Sequence, residues 1–157
     1  MLRVLQPKVG VVSCSGEELA EGTVARLATL KVLHELCPAQ TVTICLPLFL
    51  AGGEGDREFA RHHPTITVDG CDLRCAYHGT ERYSSRPAAS IVVNDVVGAA
   101  GIPRPEGRRT LDGAGRRAVD LVAERIARLV SDWSAAGPRP ASAEAPSPGR
   151  SGAGPDR

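Results

Sequence analysis

Four of the five cysteines in this 157-residue chain stand where a parallel sheet would bring their thiols together. Cys14, Cys45 and Cys71 each follow an apolar run that is typical of a strand, and Cys75 comes four residues after Cys71. The carboxyl ends of parallel strands share one edge of the sheet, and open α/β sheets hold their sites there. Four thiolates are a ligand set of structural zinc. The sequence therefore predicts a four-cysteine metal centre that holds zinc, with an iron–sulfur cluster on the same ligands as an alternative.

The spacing of Cys71 and Cys75 predicts two thiols on one face of a helix over residues 72–82. Cys71 would then stand at the helix N-terminus, where exposed amides lower the pKa of a thiol. The same cysteines also suit a redox or sulfur-transfer enzyme, in which Cys71 attacks and Cys75 or Cys14 resolves the intermediate. The chain has no Cys-x-x-Cys pair and no obvious histidine base, which favours metal binding over the thiol enzyme.

Other polar side chains near this edge have simpler interpretations. We interpret Cys37 as structural, because it ends a predicted helix away from the edge. His78 is interpreted as a surface residue, with a role at the metal site as the alternative. Asp69 is expected to orient the next turn or accept hydrogen bonds from the start of the next helix. The remaining candidates are expected at helix ends or at the periphery: His62, His63 and Asp95.

Composition argues against several classes of partner. A net charge of +1 provides no electrostatic reason to bind nucleic acid or an acidic membrane. No apolar run approaches the roughly 20 residues of a membrane span. Residues 1–8 lack the long apolar segment of a signal peptide, so we expect a cytoplasmic protein. Thiols stay reduced in that compartment, and an odd cysteine count also argues against a disulfide framework.

A nucleotide site is not favoured by the loop around the first cysteine. Residues 13–16 with Gly22 could hold an anion, but they match neither the P-loop nor the dinucleotide-binding pattern. A phosphatase-type cysteine loop needs an arginine six residues after Cys14, where this chain has Ala20.

Strand and helix patterns alternate through residues 1–133, which predicts a single α/β domain. The predicted strands are residues 8–13, 41–46, 65–68 and 89–94, and the predicted helices are residues 18–36, 56–62, 72–82 and a last helix that ends near residue 133. Right-handed crossovers give a small, mainly parallel four-stranded sheet in the order 2-1-3-4. Helices on both faces make the predicted fold Rossmann-like or flavodoxin-like.

Three further segments complete the predicted organisation. The last helix has an apolar stripe that should lie on the sheet, with Trp133 covering its end. Residues 47–55 are predicted to form a loop, and the apolar stretch 46–50 either covers the cysteine site, forms a partner-binding patch or packs into the core. Residues 134–157 contain mainly Gly, Pro, Ala, Ser and Arg, so they are predicted to be disordered.

The cysteines stand in a set of short motifs: VSCSG at 12–16, CL at 45–46, VDGC at 68–71 and CA at 75–76. In their order and spacing these motifs resemble the DGC-domain family over roughly residues 8–97. The resemblance implies zinc binding through the cysteines, with a biochemical role that is not established. Family members often carry another cysteine three residues after the first, where this chain has Glu17, so a carboxylate ligand is an alternative at that position.

Overall fold

The computed structural model describes residues 7–136. The elements in this part of the chain are β1 (Val9–Ser13), α1 (Ala20–Lys31), β2 (Thr41–Val42), α2 (Leu46–Ala51), α3 (Glu54–Arg57), α4 (Phe59–His62), β3 (Thr65–Asp69), α5 (Cys75–Tyr83), β4 (Ala89–Val92), α6 (Val93–Ala100) and α7 (Gly113–Ala136). A π-helical segment, Val32–Leu36, continues α1 without a break.

The four strands form one parallel sheet in the order β2-β1-β3-β4, which confirms the predicted topology. β1 is central: Val9 pairs with Thr41 on one side, and Val11 pairs with Ile66 on the other. Each connection between parallel strands crosses back over the sheet, so every strand begins at the same edge. All four carboxyl ends consequently lie along one edge of the sheet.

The larger core lies between the sheet and helices α1, α6 and α7. Alternate residues of β1 and β3 face this side, including Val11 of β1 and Val68 of β3, both fully buried. The apolar stripe of α7 packs here, as predicted, through Val122, Ile126 and Val130. Trp133 packs against the same cluster from the end of the helix.

A smaller cluster on the opposite face attaches α2 and α5 to the sheet. It consists of Val12 from β1, Leu46 from α2 and Ala76 from α5. Leu46 directly follows Cys45, and Ala76 directly follows Cys75. Burial of these two neighbours therefore places both cysteines at the rim of the cluster.

The predicted loop at residues 47–55 is wrong, because most of it is helical. Pro47 lies in the first turn of α2, where its missing N–H would have no partner within the helix. Leu46 and Phe49, three residues apart, bury one face of α2. Leu48 and Leu50 remain exposed, so the apolar stretch is divided between core and surface.

Two strands are shorter than predicted. β2 ends at Val42 instead of residue 46, and β4 ends at Val92 instead of residue 94. After β4 the chain turns directly into α6, where Val93 and Val97 share one buried helical face. Tertiary packing of that face overrides the strand propensity of the valines.

The last helix continues past its predicted end. Residues 134–136 are helical rather than disordered, and the Ser134 hydroxyl donates a hydrogen bond of 2.8 Å to the Val130 carbonyl. The rest of the predicted tail, residues 137–157, lies outside the described residues. Within residues 7–136, no helix has both the length and the apolar character needed to cross a membrane.

Candidate metal centre

Cys14 joins the ends of the two central strands. Its N–H extends the parallel ladder by donating to the Val68 carbonyl at 3.0 Å. Its Sγ atom accepts a hydrogen bond of 3.3 Å from the Gly70 N–H. The thiol is therefore oriented by the backbone on either side of Asp69.

Burial raises the pKa of the Cys14 thiol to about 11. The hydrogen bond from Gly70 opposes this shift, while Asp69, Cys75 and Cys71 add to it through negative charge. The Cys14 thiol is consequently protonated at neutral pH. Cys71 and Cys75 therefore lie near enough to Cys14 for their charges to affect its pKa.

Three glycines allow the backbone to close around this edge. A Cβ atom on Gly70 would lie 2.6 Å from the Gly22 nitrogen, and one on Gly16 would lie 2.3 Å from the Gly22 carbonyl carbon. Gly16 also has a φ of +65°, which favours glycine. The loop after β1, the first turn of α1 and the residue before Cys71 therefore pack backbone to backbone. This close packing accounts for the two glycines of the loop that was considered as an anion site.

Cys71 and Cys75 do not share a helical face, so that prediction is wrong. α5 begins at Cys75, and Cys71 lies in a preceding turn that is closed by a 3.1 Å hydrogen bond from the Arg74 N–H to the Cys71 carbonyl. Arg74 has a φ of +48°, which places it in the left-handed region and prevents the helix from starting earlier.

The side chain of Arg74 anchors this turn to the neighbouring elements. Its guanidinium lies 4.1 Å from the centre of the Tyr77 ring, within the range of a cation–π contact. It also donates a hydrogen bond of 3.0 Å to the Ser90 hydroxyl on β4. These two contacts offset the unfavourable backbone conformation and hold the segment between the two cysteines.

Asp69 positions the start of α5, as its predicted role requires. Its buried carboxylate accepts hydrogen bonds from the Ala76 N–H at 2.7 Å and the Tyr77 N–H at 3.1 Å. Burial raises the pKa of Asp69, and these two bonds and the Arg74 charge oppose the shift. By holding the first turn of α5, Asp69 also fixes the backbone of Cys75.

Cys45 reaches the same region from the other side of β1. It occupies the N-cap position of α2, is exposed, and lines a cavity of about 300 Å³ together with Cys14. Glu17, the alternative ligand, is exposed and lines the same cavity. Cys14 is therefore the residue that links Cys45 to the other two cysteines.

The thiols are not gathered into a metal-binding group in the structure. Among residues 7–136, no three or more His, Cys, Asp or Glu side chains are close enough together to hold a metal ion. The donor chemistry nevertheless suits zinc, since Cys45 and Cys75 are exposed, Cys14 and Cys71 are half-buried, and all are free thiols. The four-cysteine ligand set stays a prediction.

The remaining sequence candidates have other environments. Cys37 is buried in the larger core, and burial raises the pKa of its thiol. His78 is exposed and packs edge-on against Tyr77, with ring centroids 5.3 Å apart. Asp95 is exposed on the first turn of α6. Within residues 7–136, no hydrogen bond or ion pair joins any of these three residues to the four candidate ligands.

His62 and His63 bind backbone carbonyls near the end of α4. The Nδ1 atom of His62 lies 3.0 Å from the Glu58 carbonyl oxygen, and that of His63 lies 2.9 Å from the Lys8 carbonyl oxygen. Both contacts are consistent with the predicted position at a helix end. They are structural contacts, and neither of them places a histidine with the four cysteines at the carboxyl edge of the sheet.

Sequence reasoning did not single out Arg74 as part of this site. A positive φ on an arginine has no local sequence signal, because the conformation depends on contacts with Tyr77 and Ser90. The close approach of Gly16 and Gly22 was likewise not evident from the sequence. Glycines allow two backbone segments to come close, but they do not show which segments will meet.

A model of the DGC domain matches residues 10–107, which is more than half of the chain. This chain belongs to the DGC-domain family. The match confirms the resemblance inferred from the ordered motifs, and the DGC-domain region includes all four cysteines of the candidate centre. Searches of curated proteins and of solved structures find no match.

Proposed function

We propose that this DGC-domain protein binds a zinc ion through Cys14, Cys45, Cys71 and Cys75, with no catalytic turnover of its own. The observation that carries the proposal is the central place of Cys14 at the sheet edge. Cys14 is electrostatically coupled to Cys71 and Cys75, and it shares a cavity with Cys45. All five thiols are free, which suits the reducing cytoplasm that we propose as the compartment.

Zinc would supply the positive charge that stabilises four thiolates in one place. The protein's own contribution is to orient the sulfurs: the Gly70 N–H already points at Cys14 Sγ, and Asp69 holds the backbone of Cys75. A hydrogen bond from an amide to a ligand sulfur favours the deprotonated form that a metal requires.

The energies favour gathering the remaining side chains around an ion. Moving an exposed cysteine away from its preferred rotamer costs about 0.5–1.5 kcal/mol. The apparent free energy of zinc binding in small structural sites is roughly 10–16 kcal/mol. Because Cys45 and Cys75 are exposed, their rotation displaces no buried side chain, so the binding energy exceeds the cost.

The direct test is elemental analysis of protein purified without added zinc, combined with thiol counting. We expect about one equivalent of zinc, and a large loss of zinc when any of the four cysteines is changed to serine. Cys37→Ala is the matched control and should retain the metal, because Cys37 lies in the larger core. Protein with almost no metal and five freely titrating thiols would refute the proposal. A visible absorption band after anaerobic purification would assign an iron–sulfur cluster instead.

The thiol-enzyme alternative loses its main structural argument. A lowered pKa for Cys71 was predicted from a position at a helix N-terminus, but Cys71 lies four residues before α5 begins. The other proposed resolving residue, Cys14, has a pKa raised to about 11. No observation on the described residues favours an attacking and a resolving cysteine over a shared metal site.

A further inference from the structure

The segment between α6 and α7, residues 101–112, packs on the start of α1 beside the cysteine edge. We call this segment the strap. Most of its residues are exposed, and Pro105 and Leu111 are the ones that it buries. Segments with few buried side chains open locally at a lower free energy than the core of a protein. The strap can therefore leave the surface while the sheet remains folded.

The second half of the strap is a loop that is closed at its base. The Asp112 N–H donates to the Glu106 carbonyl at 3.1 Å, and the Asp112 carboxylate accepts from the Glu106 N–H at 3.3 Å. Gly107, with a φ of +85°, permits the tight turn between them. Because its base is closed, this loop holds the Arg108 carbonyl in a defined position.

Two contacts fasten the strap to the first residues of α1. The Arg104 guanidinium donates a hydrogen bond to the Glu21 carboxylate, and the Thr23 hydroxyl donates one of 2.5 Å to the Arg108 carbonyl. The Glu21 side chain is buried, and Arg104 is its only ion-pair partner among residues 7–136. Because a buried carboxylate is strongly destabilising without a partner, this contact opposes release of the strap.

Gly22, the residue between these two contacts, is the one on which the cysteine segments pack. A Cβ atom on Gly22 would lie 2.3 Å from the Cα atom of Gly16, in the loop that follows Cys14. A Cβ atom on Gly70, directly before Cys71, would lie 2.6 Å from the Gly22 nitrogen. The strap therefore holds, from both sides, the backbone against which the two cysteine segments close.

We propose that the strap controls access to the cysteine edge. While it is docked, the segments of Cys14 and Cys71 stay closed on Gly22; its release exposes both thiols and accelerates exchange of the metal. Arg104 and Glu21 are thus positioning residues that act through Gly22. Control of thiol access stands on the contacts of the strap, whereas control of metal exchange rests on the proposed zinc site.

Alkylation of the metal-free full chain by iodoacetamide at one fixed pH tests control of thiol access. Arg104→Gln removes the charge opposite Glu21, so Cys14 should react about threefold to tenfold faster than in the wild type. Cys37 lies in the larger core and reports global unfolding in the same sample, so its rate should not change. Mass spectrometry of the two cysteine peptides measures both rates, and a purely structural role for Arg104 would accelerate them together.

Lys31→Gln is the matched control for loss of a positive charge. Lys31 forms an ion pair of 2.7 Å with Asp120 on α7, but it is the last residue of α1 and the strap contacts the first turn. The Cys14 rate of this variant should equal that of the wild type.

Thr23→Val tests the second contact, because the two side chains have nearly the same shape and only the hydrogen bond to the strap is lost. Cys14 should react about threefold faster, again without a change at Cys37. Thr65→Val is its matched control: the Thr65 hydroxyl donates a hydrogen bond of 2.7 Å to the His63 carbonyl at the start of β3. That variant should leave the Cys14 rate unchanged.

Transfer of zinc from the loaded protein to an excess of chelator tests control of metal exchange. Arg104→Gln should transfer zinc faster by about the same factor as it accelerates alkylation, and Lys31→Gln should not. An unchanged transfer rate would overturn this part of the proposal, even if Cys14 reacts faster. A wild type that holds no zinc would refute the zinc proposal, whereas alkylation would still decide whether the strap controls the thiols.

The proposal is overturned if Arg104→Gln leaves the Cys14 rate unchanged, or if Cys14 and Cys37 accelerate equally. It is also overturned if Lys31→Gln accelerates Cys14 as much as Arg104→Gln does. The first result would mean that the strap does not hold the cysteine segments, and the other two would mean that the effect is not local to the strap.

Discussion

Gly70, the middle residue of the Asp-Gly-Cys motif, is the position at which substitution should be most informative. A Cβ atom added to Gly70 would lie 2.6 Å from the Gly22 nitrogen and 2.8 Å from both the Glu21 carbonyl carbon and the Gly22 Cα. These are backbone atoms of the first turn of α1, so no side-chain rotation can relieve the contacts. Gly70→Ala must therefore move either the start of α1 or the end of β3.

Two effects of this substitution oppose each other. Overpacking of a well-packed site typically costs 1–3 kcal/mol, and a clash between two backbones should be near the upper value, about 3 kcal/mol. Alanine also restricts the unfolded chain, which stabilises the protein by about 0.4–1 kcal/mol. The clash is the larger effect, so we expect a net loss of about 2 kcal/mol in the free energy of unfolding.

Urea unfolding followed by circular dichroism measures this difference directly. Gly98→Ala is the matched control, because a Cβ atom at Gly98 would contact nothing within 4 Å and the residue lies within α6. The same chemical change should stabilise the protein there by about 0.5–1 kcal/mol. The two alanine variants should thus move the unfolding midpoint in opposite directions, with little change in the slope.

The reasoning would be refuted if Gly70→Ala were as stable as the wild type while Gly98→Ala behaved as expected. That result would mean that the loop after β1 and the first turn of α1 can separate at little cost. The close approach of Gly16, Gly22 and Gly70 would then not determine where Cys71 lies.

Two further predictions concern the same edge. In metal-free protein, the rate of Cys14 alkylation by iodoacetamide should continue to rise up to about pH 11, because only the thiolate reacts and burial raises the pKa of this thiol to about 11. Mass spectrometry of the Cys14 peptide measures this rate, and a plateau below pH 9 would contradict the raised pKa. Asp69→Asn should remove one of the two acceptors at the start of α5, at a cost of about 1 kcal/mol. Faster hydrogen exchange of the Ala76 and Tyr77 amides is the expected result, and unchanged protection of both amides would exclude a positioning role for the Asp69 carboxylate.

The sheet could be predicted from sequence because its determinants are local. Apolar, β-branched runs mark the strands, and the apolar stripe that ends at Trp133 marks α7 at helical spacing. Right-handed crossovers then leave few possible strand orders, and the structure has the order that was predicted. The order of the motifs around the cysteines was also sufficient to identify the DGC-domain family.

Helix α2 was not predicted, because its apolar sequence contains a proline and is followed by two glycines. Pro47 and the glycines at 52 and 53 favour a turn, and α2 packs against α5, which is distant in the chain. The start of α5 was wrong by three residues for a related reason. The left-handed conformation of Arg74 is stabilised by Tyr77 on α5 and by Ser90 on β4, and the contact with Ser90 forms only when β4 joins the sheet.

By itself, the sequence determined the strand order, the family and the edge of the sheet at which the cysteines lie. Only the tertiary structure decided how the thiols relate to one another: Cys14 is half-buried and central, Cys71 lies in a turn, and Cys45 borders a cavity. The physical reason is the range of the interactions. Strand propensity acts over neighbouring residues, and crossover handedness is a general rule for connections between parallel strands, whereas burial of a thiol and the shape of a cavity depend on which segments meet after folding.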